Sequence, residues 1–276
     1  EDLTNPGLQG RIATADPRNS GSAHMVYEII LQAYGWEKGW QVLQEMGGNV
    51  KAFTTGASDV PNEVALGNVV YGPVIDFYAY AQILQTGEDK LGYVTPDGLS
   101  VINADPIGIL KGAPRLELAQ RFVDFCLTPT AQKLLMLPMG HPDGPRTGNL
   151  ARASVLPALY DELGDAAIVG ENPFALENTI KYDATKGGKR WGLVNDLCGT
   201  LIIDTHKELT TAWKAVGKSQ SEDGRAILGK MPLTEAEATE LAAGWGSPDN
   251  ALARKGTISD WRRFARDKYQ AARKMK

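Results

Sequence analysis

Two serines flank a glycine in the segment ADPRNSGSA, residues 15–23, which joins a predicted strand to a predicted helix. Ser20 and Ser22 carry hydroxyl groups, and Gly21 lets a ligand come close to the backbone. The first amides of a helix have no partner inside the helix, and the helix dipole is positive at that end. The segment therefore predicts an anion-binding site, although an ordinary helix cap with a turn glycine would use the same residues.

A carboxylate and two aromatic rings follow one another at a second strand-to-helix junction, at Asp76, Phe77 and Tyr78. The carboxyl ends of strands in open α/β sheets are the places where ligands collect. A carboxylate beside aromatic side chains could hold a sugar, a cation or a metal there. Phe77 and Tyr78 equally fit core positions with the tyrosine hydroxyl at the surface, so the local sequence leaves both interpretations open.

Catalytic motifs are absent from the sequence: there is no G-x-S-x-G, no Walker loop, no H-E-x-x-H and no cluster of cysteine and histidine. The three histidines have no metal-binding spacing among themselves. His24 lies one turn into the helix after the Ser-Gly-Ser segment and could line a ligand site there, but a solvated or capping role is expected. Cys126 and Cys198 lie in apolar segments, which favours buried free thiols over a disulfide. We therefore expect no enzyme. The enzymatic alternative would use Asp76 or His24 as acid or base.

The composition disfavours two further classes of protein. The 276 residues carry a net charge of −4, which makes nucleic acid an unfavourable partner for the whole molecule. No apolar run approaches the ~18 residues that a membrane helix needs. The chain is expected to be a monomer.

Short apolar strands alternate with amphipathic helices over residues 11–110, and helices dominate the remainder. Strands separated by helices of this length predict βαβ units around a mainly parallel sheet. The strands are predicted at residues 11–15, 50–54, 69–75, 101–104 and 107–110. The helices are predicted at residues 25–33, 36–43, 58–66, 76–84, 116–126, 131–136, 191–203, 207–216, 235–243 and 259–274.

Residues 97–135 resemble the segment by which family 1 extracellular solute-binding proteins return to their first lobe, especially in the ferric-iron-binding branch. Five family patterns occur in the right order over roughly residues 8–148. They are A-D-P-x-x-S-G at residues 15–21, V-A-x-G at 64–67, D-x-I-x-I-L-K-G-A-P at 105–114, A-x-x-F-V-D-F-x-L-T at 119–128, and A-Q-x-x-L at 131–135.

The resemblance implies an α/β fold of the periplasmic-binding-protein type II, with two lobes, mainly parallel sheets flanked by helices, and a helical C-terminal region. Residues 1–97 would form the second lobe, and residues 98–276 would return into the first lobe and add the helical region. Nothing here matches the opening segment of the family, so the first lobe is expected to be incomplete. Glu1 begins directly in a polar stretch, which suggests a native start elsewhere.

The resemblance also implies a set of ligand contacts. Ser20, Gly21 and Ser22 would supply hydroxyl and backbone donors, Ser58 would add a polar contact, and Asp76, Phe77 and Tyr78 would line the ligand. Iron-binding members use adjacent tyrosines as ligands to Fe³⁺, with a companion anion. Here Tyr78 is present but its neighbour Phe77 has no oxygen, so one hard donor is lost and an anionic or polar organic solute becomes the other candidate.

The function implied is that of the solute-binding component of an ABC importer. Such a protein captures a small solute (iron or another metal, an anion, or a polar organic molecule) between two lobes and delivers it to a membrane permease. A periplasmic or other extracytoplasmic location, with or without a lipid anchor, goes with this function. The alternative is a ligand-sensing module for a receptor kinase.

Overall fold

The chain folds into two compact units. The computed structural model describes residues 1–103, 105–177 and 179–275. The first unit comprises Glu1–Ile75 and Ile180–Lys276, and the second comprises Asp76–Thr179. The boundary predicted between residues 97 and 98 lies inside the second unit and stays a prediction about the lobes.

Two parallel strands in the first unit form a small sheet, with β1 at Ile12–Ala15 and β2 at Val50–Thr54. Both strands are predicted from the sequence and are confirmed. All four residues of β1 are buried. The strand predicted at 69–75 is wrong: only Tyr71 pairs with β1, through a single bridge to Ile12. Pro73 follows closely and has no amide to extend the ladder.

The strands predicted at residues 101–104 and 107–110 are also corrected. Within the described part of these segments, which excludes Ala104, no strand forms. Leu110 is 84% exposed, and the neighbouring isoleucines are also exposed. An extended segment becomes a strand only when another strand satisfies its backbone groups, and the described residues offer none to these segments. The predicted larger parallel sheet is therefore a two-stranded one here.

Helices form most of the regular structure. The described residues contain twelve α-helices, which are α1 Gly21–Tyr34, α2 Trp36–Asn49, α3 Val60–Ala65, α4 Asp76–Thr86, α5 Leu116–Cys126, α6 Pro129–Met136, α7 Ala158–Leu163, α8 Ala184–Cys198, α9 His206–Ser219, α10 Glu222–Gly229, α11 Glu235–Trp245 and α12 Ala251–Ala272. The predicted helices are confirmed, but several have different ends: α2 continues to Asn49, α8 begins at Ala184 and α12 begins at Ala251. Helices α7 and α10 are not predicted from the sequence.

Each unit has its own core. In the first unit, α1, α2, α8, α9 and α12 enclose a large cluster centred on the fully buried Trp40 and Trp213. The second unit has a small cluster formed by Met136, Leu159 and Tyr160. None of the helices in the described residues is both long enough and apolar enough to cross a membrane.

Candidate functional site

The two loops that carry the predicted serines follow adjacent parallel strands. Because β1 and β2 are parallel, with Ala15 opposite Thr54, both strands end at the same edge of the sheet. The chain leaves β1 toward Ser20. It leaves β2 toward the 3₁₀ turn Ala57–Asp59, which exposes Ser58. The sheet thus brings both predicted polar segments to one edge, as expected for ligand-binding loops.

The N-terminus of α1 has available hydrogen-bond donors. Ser20 caps the helix, and its hydroxyl oxygen accepts from the amide of Ala23 at 3.3 Å. The amides of Gly21 and Ser22 have no acceptor among the described residues, and Gly21 is exposed. An accessible helix start with unpaired amides and a positive dipole end suits an anionic group.

A tryptophan from a distant helix lies against this helix start. The Trp191 indole, on α8, would be 3.6 Å from a Cβ atom at Gly21. Its ring stacks on the imidazole of His24 with centroids 3.6 Å apart. Trp191 is 37% exposed, whereas His24 is fully buried. Sequence reasoning missed Trp191 because nothing local connects α8 with this loop.

His24 has a different environment from the one predicted. The solvated or capping role is wrong, because the imidazole is buried between α1 and α8. Its Nδ1 pairs with Oδ1 of Asn195 at 2.7 Å. Burial lowers the pKa of His24, and the hydrogen bond with Asn195 opposes that effect only in part. The ring is therefore neutral at pH 7.

An arginine fixes the loop that precedes the helix start. Arg18 donates to the carboxylate of Asp16 at 2.7 Å and to that of Asp204 at 3.1 Å. The hydrogen bond to Asp16 is the main reason that the pKa of Arg18 lies above its ordinary value. A Cβ atom at Gly199 would come within 2.6 Å of the guanidinium, so a larger residue at this position would require Arg18 to move.

A buried ion pair holds α1 against α8. Arg190 donates to Glu28 through Nε and Nη2, with the shorter contact at 2.7 Å, and both side chains are inaccessible. A second contact at 2.8 Å joins Arg190 to Glu235 at the start of α11. Since Arg190 precedes Trp191, this pair sets the position of the helix turn that presents the indole.

The second unit places the other predicted residues at the start of α4. The carboxylate of Asp76 accepts from the amide of Phe77 at 2.8 Å. The guanidinium of Arg152 lies 3.8 Å from the centre of the Phe77 ring, and Tyr78 packs against that ring. Burial raises the pKa of Asp76, and the negative charge of Asp105 acts in the same direction.

Two further tyrosines, which no sequence motif indicates, lie near this carboxylate. The rings of Tyr80 and Tyr93 are 5.4 Å apart. Burial, followed by the charges of Asp76 and Glu171, raises the pKa of both phenols to about 12. Tyr80 and Tyr93 are therefore two tyrosines with neighbouring rings in this unit, whereas the ring beside Tyr78 is that of Phe77. Among the described residues, no three His, Cys, Asp or Glu side chains form a metal-binding group.

The predicted site residues are divided between the two units. Ser20, Gly21, Ser22 and Ser58 belong to the first unit. Asp76, Phe77 and Tyr78 belong to the second unit. That both groups contact one solute stays a prediction.

Comparison with known proteins relates the chain to transport proteins. It is 24% identical over 246 residues to the phosphoglycerate transport regulatory protein PgtC of Salmonella typhimurium, and equally so to PgtC of Salmonella typhi. These alignments cover 87% of this chain and only 57% of the relatives' length. An uncharacterized protein of Haemophilus influenzae is 30% identical over 134 residues, which cover 49% of this chain and 38% of that protein. No solved structure matches.

A family model covers more than half of the chain. The model described as bacterial extracellular solute-binding protein matches residues 1–147, which include β1, β2 and the helix starts of α1 and α4. The resemblance seen in the sequence is thereby confirmed at the level of the family, and a family of binding proteins agrees with a non-enzymatic role. The chain belongs to the bacterial extracellular solute-binding protein family.

Proposed function

We propose that this protein is the extracytoplasmic solute-binding component of an ABC-type importer, and that it captures a small anionic organic solute for a membrane permease. The observation that carries the proposal is the start of α1, where the amides of Gly21 and Ser22 have no acceptor among the described residues. Family membership supports a binding role. The solute would bind the closed form of the protein more tightly than the open form, and no covalent bond would change.

The proposed solute carries a phosphate or carboxylate group. Such a group fits amides at a helix start. The name of the Salmonella relatives includes phosphoglycerate, a small molecule that carries both a phosphate and a carboxylate group. Ferric iron with a companion anion is the other proposed cargo, and Tyr78 would be its ligand.

The experiment combines identification of the solute with direct binding measurements. Mass spectrometry and metal analysis would identify whatever co-purifies with the protein. Isothermal titration would then measure binding of 3-phosphoglycerate, inorganic phosphate, Fe³⁺ with carbonate, and a neutral sugar. We expect the two phosphates to bind and the sugar not to bind. Binding of the sugar alone would contradict the anionic class, and binding of Fe³⁺ alone would establish the other cargo.

Ser20→Ala and Ser221→Ala form a matched pair for this test. Ser20 and Ser221 both cap a helix, α1 and α10 respectively, by accepting from a backbone amide. Each substitution should cost about 1 kcal/mol of stability through the lost cap. Only Ser20→Ala should weaken anion binding, by about tenfold, because a hydroxyl contact is worth about 1 kcal/mol or more. Equal binding by the two variants would show that the Ser20 hydroxyl does not contact the anion.

A sensing role is the second candidate function, because the Salmonella relatives are named as regulatory proteins. In that role the loaded form would contact a receptor kinase instead of a permease. Chemical crosslinking in membranes, with and without solute, separates the two roles. Solute-dependent crosslinks to a permease favour import, and crosslinks to a kinase favour sensing.

A further inference from the structure

The imidazole of His24 offers one hydrogen-bond acceptor that the described residues do not use. Its Nδ1 is paired with Oδ1 of Asn195, an oxygen that only accepts. Nδ1 therefore carries the proton, and Nε2 of the neutral ring is an acceptor. Nε2 is buried and has no partner among the described residues. A buried acceptor without a donor is unusual in folded proteins.

This acceptor belongs to the same helix turn as the anion-binding amides. His24 lies one turn after Ser20, and its amide donates to the carbonyl of Ser20 at 3.0 Å. Side chains in an α-helix lean toward its N-terminus, and the ring of His24 shares the indole of Trp191 with Gly21.

Trp191 separates the imidazole from solvent. The indole stacks on the His24 ring and also reaches Gly21, where a Cβ atom would meet it at 3.6 Å. The indole is 37% exposed, and no hydrogen bond of its N–H occurs among the described residues. No hydrogen bond therefore opposes a shift of the indole, whereas the backbone beside it is held by the buried pair of Arg190 with Glu28.

We propose that His24 and Trp191 form a subsite that selects hydroxylated anions: the solute places its anionic group on the amides of Gly21 and Ser22, donates a hydroxyl hydrogen bond to Nε2 of His24, and lays its carbon skeleton against the indole. The inference rests on the proposed anion binding and adds the requirement for a hydroxyl group beside the anionic group. Polar selection of this kind discriminates strongly, because an analogue without the hydroxyl leaves the buried acceptor unpaired.

The test compares two anions that differ in one hydroxyl. 3-Phosphoglycerate carries a 2-hydroxyl group, and 3-phosphooxypropionate lacks only that group. Isothermal titration of the wild-type protein should show at least about tenfold tighter binding of 3-phosphoglycerate. His24→Phe keeps an aromatic ring against Trp191 and removes Nε2, so it should abolish the preference and leave the affinity for 3-phosphooxypropionate within about threefold of wild type.

His206→Phe is the matched control. His206 is a second histidine of the first unit whose Nε2 is buried without a partner among the described residues. Its replacement should reproduce any general effect of losing such a histidine and should retain the hydroxyl preference. If His24→Phe unfolds, Gly21→Ala provides the second arm. Its methyl group would meet the indole at an ordinary contact distance and narrow the approach to His24, so about tenfold weaker 3-phosphoglycerate binding is expected. Gly188→Ala, at an open helical position, is its control.

The outcomes separate the subsite from the proposed function. Equal affinity of the wild type for the two anions, or a preference that survives in His24→Phe, would overturn the subsite and leave anion binding intact. Unchanged 3-phosphoglycerate binding in Gly21→Ala would also overturn it. Failure of the wild type to bind 3-phosphoglycerate, 3-phosphooxypropionate and inorganic phosphate would overturn both proposals.

Discussion

Two buried cations in the first unit differ in how their charge is balanced. Arg190 has the carboxylates of Glu28 and Glu235 as partners. Lys268 is also buried, but among the described residues its amine donates only to neutral oxygens, on Gln44 and on the backbone of Lys230. Burial lowers the pKa of Lys268 well below its ordinary value of 10.5. Arg190 thus depends on its carboxylate partners, whereas the burial of Lys268 lowers the stability of the fold and no carboxylate among the described residues offsets this.

Lys268→Met is expected to stabilise the protein by about 1 kcal/mol at pH 7, because it removes an amine whose charged form is disfavoured by burial. The pKa of Lys268 is lower in the folded than in the unfolded state. At a pH between these two pKa values, the unfolded state therefore binds a proton that the folded state has lost. Wild-type stability therefore rises with pH across that window. The advantage of the variant should shrink between pH 7 and about pH 9.5.

Urea unfolding at the two pH values measures this difference. Lys255→Met is the control, because Lys255 lies on the same helix α12 and is exposed. An advantage of Lys268→Met that is independent of pH would contradict the account.

Glu28→Gln is expected to destabilise the first unit by about 3–5 kcal/mol, since it removes the main counterion of a buried guanidinium. Asp260→Asn breaks the exposed pair with Arg263 and should cost at most about 0.5 kcal/mol. Chemical denaturation followed by tryptophan fluorescence compares the two variants. Similar costs for both would mean that the buried pair contributes no more than a surface pair.

Helix packing explains two glycines in the sequence that would otherwise suggest the end of a helix. Gly47 and Gly48 lie in the last turn of α2, and the helix continues through them to Asn49. A Cβ atom at Gly48 would come within 2.5 Å of the Trp213 side chain on α9. The glycines therefore serve the close approach of neighbouring elements, which local propensity does not reveal.

Gly48→Ala tests this packing. The substitution improves helix propensity by about 1 kcal/mol, but it drives a methyl group into a fully buried indole, which costs about 1–3 kcal/mol or more. We expect a net loss of stability. Gly188→Ala, in α8 with nothing within 4 Å of the added carbon, should be neutral or stabilising. Thermal unfolding would measure the stability of both variants. A Gly48→Ala protein as stable as the wild type would show that α9 can move away.

The two units of the molecule differ in the size of their cores. The first unit has a large cluster of buried side chains from several helices. In the second unit, the cluster of Met136, Leu159 and Tyr160 is small, and helix α5 has no buried residue among those described although it is strongly amphipathic. Stability scales with buried apolar surface, so the second unit is expected to open more readily.

Hydrogen exchange measures this difference. Amides of α6 and α7 should exchange faster than those of α2 and α9. Leu159→Ala should speed exchange in the second unit further, because it removes about 2–3 kcal/mol of core packing there. Leu110→Ala, at an exposed position of the same unit, should change nothing. Equal protection in both units would indicate that they unfold as one.

The sequence by itself determines the local features of this protein. The apolar periods and caps locate most helices, the strands β1 and β2, and the Ser20 to Ser22 segment at a helix start, because each depends on neighbours along the chain. The motif order is sufficient to indicate the family. Only the tertiary structure places His24 beside Asn195, 171 residues away, beneath an indole that also reaches Gly21.

The strands that were wrongly predicted near residues 101 and 107 also show that local sequence does not determine tertiary contacts. Extended, apolar segments acquire sheet structure only when a partner strand satisfies their backbone groups, and burial of a histidine or a glycine depends on which helix packs over it. Such contacts between distant residues come from chain topology and packing, so no local pattern of residue types contains them.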